Sequence, residues 1–441
     1  PSMRGVLRKL RCDDYLTLVA ASSIIRPGVG SSGMMQQYIW RFHNPGKFEY
    51  LHPLMKELLE ETYGVMVYQE DVIKVAHYFG GLDMGEADIL RRAMSGKYRG
   101  NKEMKRLEQQ FFRNCEERGH PGKVAKEVWR QIESFGGYSF SKAHSASFAV
   151  ESYQSLYLKT YYPVEFMVAV INNFGGFYSR ELYFQQLKKA GADVQAPCVN
   201  NSEYLTDLKG GKVFVGFIHV QHLEQQFVEK LLAERVQNGA YLHLQDFIER
   251  TEAGIEQLNL LIKVGAFRFT GRTKKQLLWE GNFLQVHMEN HVPERQALFA
   301  AEPVSFELPV LPDNDREDMM KEMEMMGFPI GDVFELVDDD LGRYPLAKEL
   351  PGLLGREVLV LGYLVCTKET VTREKRELMH FGTFLDAGGD WLDTVHFPEA
   401  ARKWPFQGRG FYRLKGRVIE EFGVYSVMVG EMEKVGLKPV G

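Results

Sequence analysis

Cysteine is scarce in this 441-residue chain: Cys12, Cys115, Cys198 and Cys366 stand far apart. No CxxC pair exists to nucleate a zinc site, and no dense pattern exists to staple a secreted scaffold, so the chain is read as reduced and cytoplasmic. Long apolar runs are lacking as well. Nothing approaches the roughly 18 residues that would cross a bilayer, and no charged start followed by an apolar stretch marks a signal peptide. No membrane partner is expected. Neither charge is in large excess, since 54 Lys and Arg face 59 Asp and Glu for a net −5, so a polyanion-binding surface has to be a local patch. Low-complexity tracts and solenoid-period repeats are absent. So are HExxH, GxSxG and GxxxxGK[ST], which takes the weight from zinc-protease, serine-hydrolase and Walker-loop chemistry, and no metal ligands are assigned. An initiator Met is also missing: the sequence opens at Pro1, in a basic segment that reads like the middle of an element, and a fragment without its N-terminal part is expected.

What is present is apolar mass enough for real cores, 44% of residues, in a chain too long for one ordinary domain. From Cys12 to about residue 172, apolar residues recur three and four apart, interrupted by turn signals such as RPGVGSSG, GGLD, GHPG and FGGYS. This predicts a helical domain over 1–172. A second, mostly helical stretch follows over 173–281. Residues 282–350 turn to Pro, Asp and Met and read as a connector with one helix. Over 351–441 the period changes to short β-rich runs, EVLVLGYLV, MHFGTFLDA, WLDTVHF, GFYRLKGRVI and VYSVMVGEM, which fit a small barrel of the OB type. The fold class is thus multidomain and mainly α, closed by a small β-barrel.

The segment from Arg91 to Arg130 is the richest in positive charge and includes Lys97 and Arg99. A solvated helical surface accounts for most of it. Arg91 and Arg92 stand apart, because they adjoin Leu90 and Met94 on an otherwise apolar helix, where paired guanidiniums offer bidentate contacts to phosphate oxygens. The run FGGYSFSKAHSASF sets small hydroxyls, Lys142 and His144 at a helix start. It reads either as a phosphate or sugar site, through free backbone N–H groups, or as a plain capped helix. Arg26 in RPG, with Ser31, Ser32 and Gly33, is a phosphate-approach loop or an ordinary turn.

Four long blocks in one order carry the reading further: IIRPGVGSSGMMQQYIWR, HPLMKELLEETYGVMVYQEDVIKVAHYFGGLDMGEADILRRAMSGK, FGGYSFSKAHSASFAVESYQSLYLKTYYPVEFMVAVINN and GIEQLNLLIKVGAFRFTGR. Together they resemble the C-terminal half of the α subunits of bacterial DNA polymerase III, the C-family polymerases. The resemblance implies polymerase fingers over 1–172, a clamp-binding helical domain of helix-hairpin-helix character over 173–281, a linker over 282–350 and an OB-fold over 351–441. It maps Arg91 and Arg92 to dNTP triphosphate contacts and sets Arg26, Lys142 and His144 near the active site, with Lys97 and Arg99 toward DNA. It places the family's Mg²⁺-binding aspartates in a palm domain outside this sequence. No catalytic residue is therefore expected here, and the chain alone is expected to be inactive within a DNA-directed DNA polymerase.

The same resemblance implies primer-template DNA, single-stranded DNA, dNTPs, a sliding clamp and further holoenzyme subunits as partners. Clamp binding falls on Gln296, Leu298 and Phe299 of RQALFA, with the Gln one place closer than the family's pattern; a short amphipathic linker element is the other reading. In the hairpin GFIHVQHLEQ, His222 and Leu223 stand where glycines are expected, which puts DNA binding there in doubt. The barrel resembles those that stack single-stranded bases on rings over a basic groove. Phe381, Phe384, Trp391, Phe397, Phe411 and Tyr412 supply rings, about half of them assigned to the core by alternation, and Lys368, Arg373, Lys375 and Arg376 supply charge. A shorter accessory or error-prone α subunit and a main replicase are the two subtypes, and a noncatalytic DNA-binding or clamp-tethering module is the reading from another class.

Overall fold

The computed structural model describes residues 2–25, 33–94, 101–134, 141–290, 314–372 and 375–437. Arg26, Lys97, Arg99, Gln296, Leu298, Phe299 and Arg373 lie outside the described residues. The chain divides into two units. One comprises Pro1–Tyr157 with Val371–Leu378 and Val418–Val427; the other comprises Leu158–Thr370, Met379–Arg417 and Met428–Gly441. Among the described residues no helix is long and apolar enough to cross a membrane.

The first unit is helical because its apolar residues repeat at helical spacing and its polar residues serve as caps. The helix Tyr15–Ile24 begins at Asp14, whose Oδ1 accepts the Thr17 N–H at 2.9 Å, and it buries Val19, Ala20, Ala21 and Ile24. The helix Met84–Met94 opens with a reciprocal cap: Asp83 Oδ1 accepts the Glu86 N–H at 2.8 Å and Glu86 Oε2 accepts the Asp83 N–H at 3.1 Å. Ala87 and Leu90 are buried at the period of one face; Arg91, four residues after Ala87, stands at its edge, and Asp88 and Arg92 lie beyond it. The core gathers Phe79, Phe111 and Trp129, with ring centroids 5.0 Å apart for the last pair. The short helix Gln69–Lys74 runs directly into a π-helical turn, Val75–Phe79.

The second unit adds to two expectations. Residues 173–281 are mostly helical and also hold a three-stranded sheet, which precedes the hairpin helices. Strands β1 (Asp193–Gln195) and β3 (Lys212–Phe214) are parallel, and β2 (Asp207–Lys209) joins β3 through Gly210 and Gly211, both at positive φ, 58° and 79°. Three-residue strands are too short to show alternation, so helical periodicity around them hid the sheet. The helices Gln225–Asn238, Leu244–Thr251, Ile255–Lys263 and Lys274–Asn290 then enclose Leu231, Phe247, Leu258, Leu261 and Phe267.

The second addition concerns the connector. In its described part, 314–350, it is folded into the unit. Asn314 caps the helix Asp315–Met326, whose Met325 and Met326 complete the helical core while Met319 joins Val333, Phe334 and Tyr344. Its acidic look has a packing reason: Glu322 is buried against Lys274, Oε1 to Nζ 3.0 Å.

The barrel closes as the alternation predicts, in the order β4-β5-β6-β8-β7. Its strands are β4 (Glu357–Val371), β5 (Leu378–Leu385), β6 (Trp391–His396), β7 (Phe411–Glu421) and β8 (Val424–Val435). Register runs from Glu357↔Arg417 to Tyr363↔Phe411, and from His380↔His396 to Leu385↔Trp391. Phe384 and Tyr412 pack together inside it, centroids 6.0 Å apart, and Phe411 is buried on its other face against Phe334 and Tyr363, so none of the three is available for stacking, whereas Phe381 and Phe397 are exposed and Trp391 is half-buried beside Tyr178, centroids 5.3 Å apart.

Candidate functional site

Asp88, Arg91 and Arg92 sit at i, i+3 and i+4 of one helix, so a single carboxylate lies under both guanidiniums. Asp88 Oδ1 accepts from Arg91 Nε at 2.9 Å and lies 2.9 Å from its Nη2; Oδ2 is 3.0 Å from Arg92 Nε. A second acceptor, Gln69 Oε1, takes Arg91 Nη1 at 3.0 Å from the neighbouring helix. The Arg91 side chain is 27% exposed and the Arg92 side chain 58%, so both reach solvent while Arg91 is the more firmly held.

The residue after Gln69 ties in the second predicted cluster. Glu70 Oε2 accepts the Lys142 backbone N–H at 2.9 Å, at the start of the helix Lys142–Tyr161. The Lys142 ammonium meets the Glu61 carboxylate at 2.6 Å and lies 5.5 Å from the centre of the Tyr68 ring. Adjacent residues of one short helix thus link Arg91 on one side and Lys142 on the other. That helix start is itself built on Asp71, whose Oδ2 accepts the Val67 and Tyr68 N–H groups, each at 2.8 Å. Burial pushes the Asp71 carboxyl up to about 6 despite those two N–H groups, and burial likewise pushes the Tyr68 hydroxyl up.

The remaining members of the predicted set divide. His144 is exposed, with its N–H on Ser141 Oγ at 3.2 Å and its ring edge-on to Phe148 at 4.6 Å. The hydroxyls near it are spent locally: Ser145 is buried against Ser23, Oγ to Oγ 2.6 Å, and Ser147 bonds the Ala143 carbonyl at 3.1 Å. Much of the basic stretch is paired as a solvated surface would be, with Arg106 on Glu103, Arg130 on Glu127 and Arg118 on the Tyr78 carbonyl. In the barrel, Lys368 is exposed on β4, and Lys375 and Arg376 are exposed in the β4–β5 connection. Sequence reasoning missed Asp88, Gln69, Glu70 and Glu61. Asp88 carried a readable signal, an acid three and four residues before two arginines; the others meet their partners only through tertiary packing.

At the hairpin, His222 adopts φ 63°, the left-handed conformation that glycine favours, so the backbone course survives the loss of one expected glycine. Nearby His219 is buried, with Nε2 3.0 Å from Thr206 Oγ1 and Nδ1 3.1 Å from Arg180 Nη1; burial, and then Arg180, push it down to about 4. Among the described residues no three or more His, Cys, Asp or Glu side chains are grouped as metal ligands.

Comparison with known proteins bears on this geometry. Residues 1–119 match the bacterial DNA polymerase III alpha subunit finger domain, and residues 191–277 match a helix-hairpin-helix motif. The DNA polymerase III subunit alpha of Treponema pallidum is 29% identical over 90% of this chain and 35% of its own length. That of Borreliella burgdorferi is 29% identical over 96% of this chain and 38% of its own length. That of Campylobacter jejuni is 34% identical over 62% of this chain and 23% of its own length. The chain thus spans well under half the length of these relatives. Two family domains in order, with similarity running through the barrel, make this chain similar to a portion of the bacterial DNA polymerase III α subunits.

Proposed function

We propose that this chain serves DNA-directed DNA synthesis, the transfer of nucleotidyl groups from dNTPs to a primer 3′ end, as the part of a polymerase that grips nucleotide and DNA. Under this reading residues 1–172 are fingers, 173–281 a clamp-binding helix-hairpin-helix domain, 282–350 the connection and 351–441 a single-strand-binding barrel. The single observation that carries it is the pair of guanidiniums, Arg91 and Arg92, gathered on one carboxylate at a solvent-reaching helix face. In the reaction the primer 3′ oxygen bonds the α-phosphorus, the bond to the bridging oxygen breaks, and pyrophosphate leaves with the charge. Two fixed cations beside the β- and γ-phosphates orient the triphosphate and offset that charge as it develops. Lys142, His144 and Arg26 flank the same nucleotide, and Lys97 and Arg99 follow the DNA backbone. Lys368, Arg373, Lys375 and Arg376, with the exposed Phe381 and Phe397, receive single-stranded DNA. Gln296, Leu298 and Phe299 meet the sliding clamp, other holoenzyme subunits assemble around it, and the work is cytoplasmic.

The residues at this site do not fit a Mg²⁺ centre. Asp88 is committed to two arginines, Glu61 to Lys142, and Glu70 to a backbone N–H. The Mg²⁺ that the family resemblance implies is therefore assigned to carboxylates outside this sequence. Calorimetric titration of the chain with dATP at low ionic strength tests the nucleotide site. Arg91→Ala with Arg92→Ala is expected to weaken binding about tenfold or more, and unchanged binding would remove both arginines from it.

A further inference from the structure

Resting on that nucleotide reading, the geometry points to Asp88 as a positioning residue: its carboxylate holds the Arg91 and Arg92 guanidiniums side by side as one receptor for a polyphosphate. The donors can be followed atom by atom. Arg91 gives Nε–H to Asp88 Oδ1, with Nη2 2.9 Å from the same oxygen, and one Nη1–H to Gln69 Oε1. A second hydrogen remains on each terminal nitrogen, the arrangement that matches two oxygens of one phosphate. Arg92 is held to Oδ2 through Nε, so the two planes are fixed from beneath by the two oxygens of a single group. An unheld arginine on an exposed helix face would sample many rotamers and lose that freedom on binding. Here the loss is taken in the free protein.

Coulomb's law alone predicts the opposite role. A carboxylate about 3 Å from two cations lowers the local positive potential, and deleting it should draw a triphosphate in more strongly. The positioning role predicts that deletion weakens binding, because both side chains lose the carboxylate that fixes their Nε ends. The two expectations differ in sign.

The test is dATP titration of the whole chain by calorimetry, with unfolding curves confirming the fold of each variant. Asp88→Ala is expected to weaken dATP binding about tenfold, although it makes the site more positive. Asp88→Asn keeps an acceptor for Arg91 without the charge and is expected to recover part of the loss. In a chain already carrying Arg91→Ala and Arg92→Ala, adding Asp88→Ala should cost nothing further. Tighter binding by Asp88→Ala, or an equal loss in the arginine-free background, would overturn the proposal while leaving the nucleotide site standing. Full-strength binding by the double-arginine variant would instead overturn the nucleotide reading and this role with it.

Discussion

Asp71 shows how one side chain sets the frame on which the arginines rest. It is 5% exposed, and one oxygen accepts two backbone N–H groups at the start of the helix that carries Gln69 and Glu70. Asp71→Ala would strand both donors in a buried setting, and urea unfolding should show a loss of about 2 kcal/mol. The carboxyl is raised to about 6 in the fold, chiefly by burial, from an unfolded value of about 4. A raised acid binds its proton more tightly when folded. Its contribution to stability is therefore present in full below about pH 4 and lost as pH rises through about 6. Asp71→Asn removes that dependence, so its stability relative to the unsubstituted chain should improve between pH 4 and pH 7. A difference that stays flat across that range would contradict the assignment.

At the scale of the element, close backbone approach explains positions that composition does not. Gly216 enters the hairpin with an ordinary φ, yet a Cβ there would lie 2.3 Å from the Leu205 carbonyl carbon and 2.4 Å from Thr206 N. Backbone cannot swing aside as a side-chain tip can, so Gly216→Ala is expected to cost more than about 2 kcal/mol. A melting temperature unchanged in that variant would mean that the crossing is looser than described. The sequence made this crossing invisible, because Gly216 and Leu205 meet only once the chain has turned back through β2 and β3. The turn itself was readable: Gly-Gly between LK and KVF is a hairpin signal, overlooked because the surrounding pattern is helical. The same holds for Asp88, whose spacing to Arg91 and Arg92 is plain in GEADILRRAM once the residues are placed on a helix. Gln69 and Glu61 gave no such sign.

Across the whole molecule, what was legible follows how each part is built. The barrel repeats every second residue and could be read strand by strand; alternation assigns about half of its rings to the core without saying which, and packing buries Phe384, Phe411 and Tyr412 while leaving Phe381 and Phe397 exposed. The helical blocks were legible by their own period. The packing of the connector is not legible, because a Met-rich face among acids reads as solvated until Lys274 meets Glu322 and Met326 is enclosed. The arginine pair belongs to one unit, so its chemistry can be tested without reference to the other. Under the proposed function, the most direct measurement is steady-state primer extension by a polymerase built with this segment, with Arg91→Glu and Arg92→Glu in place. The apparent KM for dNTPs should rise at least about tenfold, with primer-template affinity retained. An unchanged KM would contradict the account at its centre.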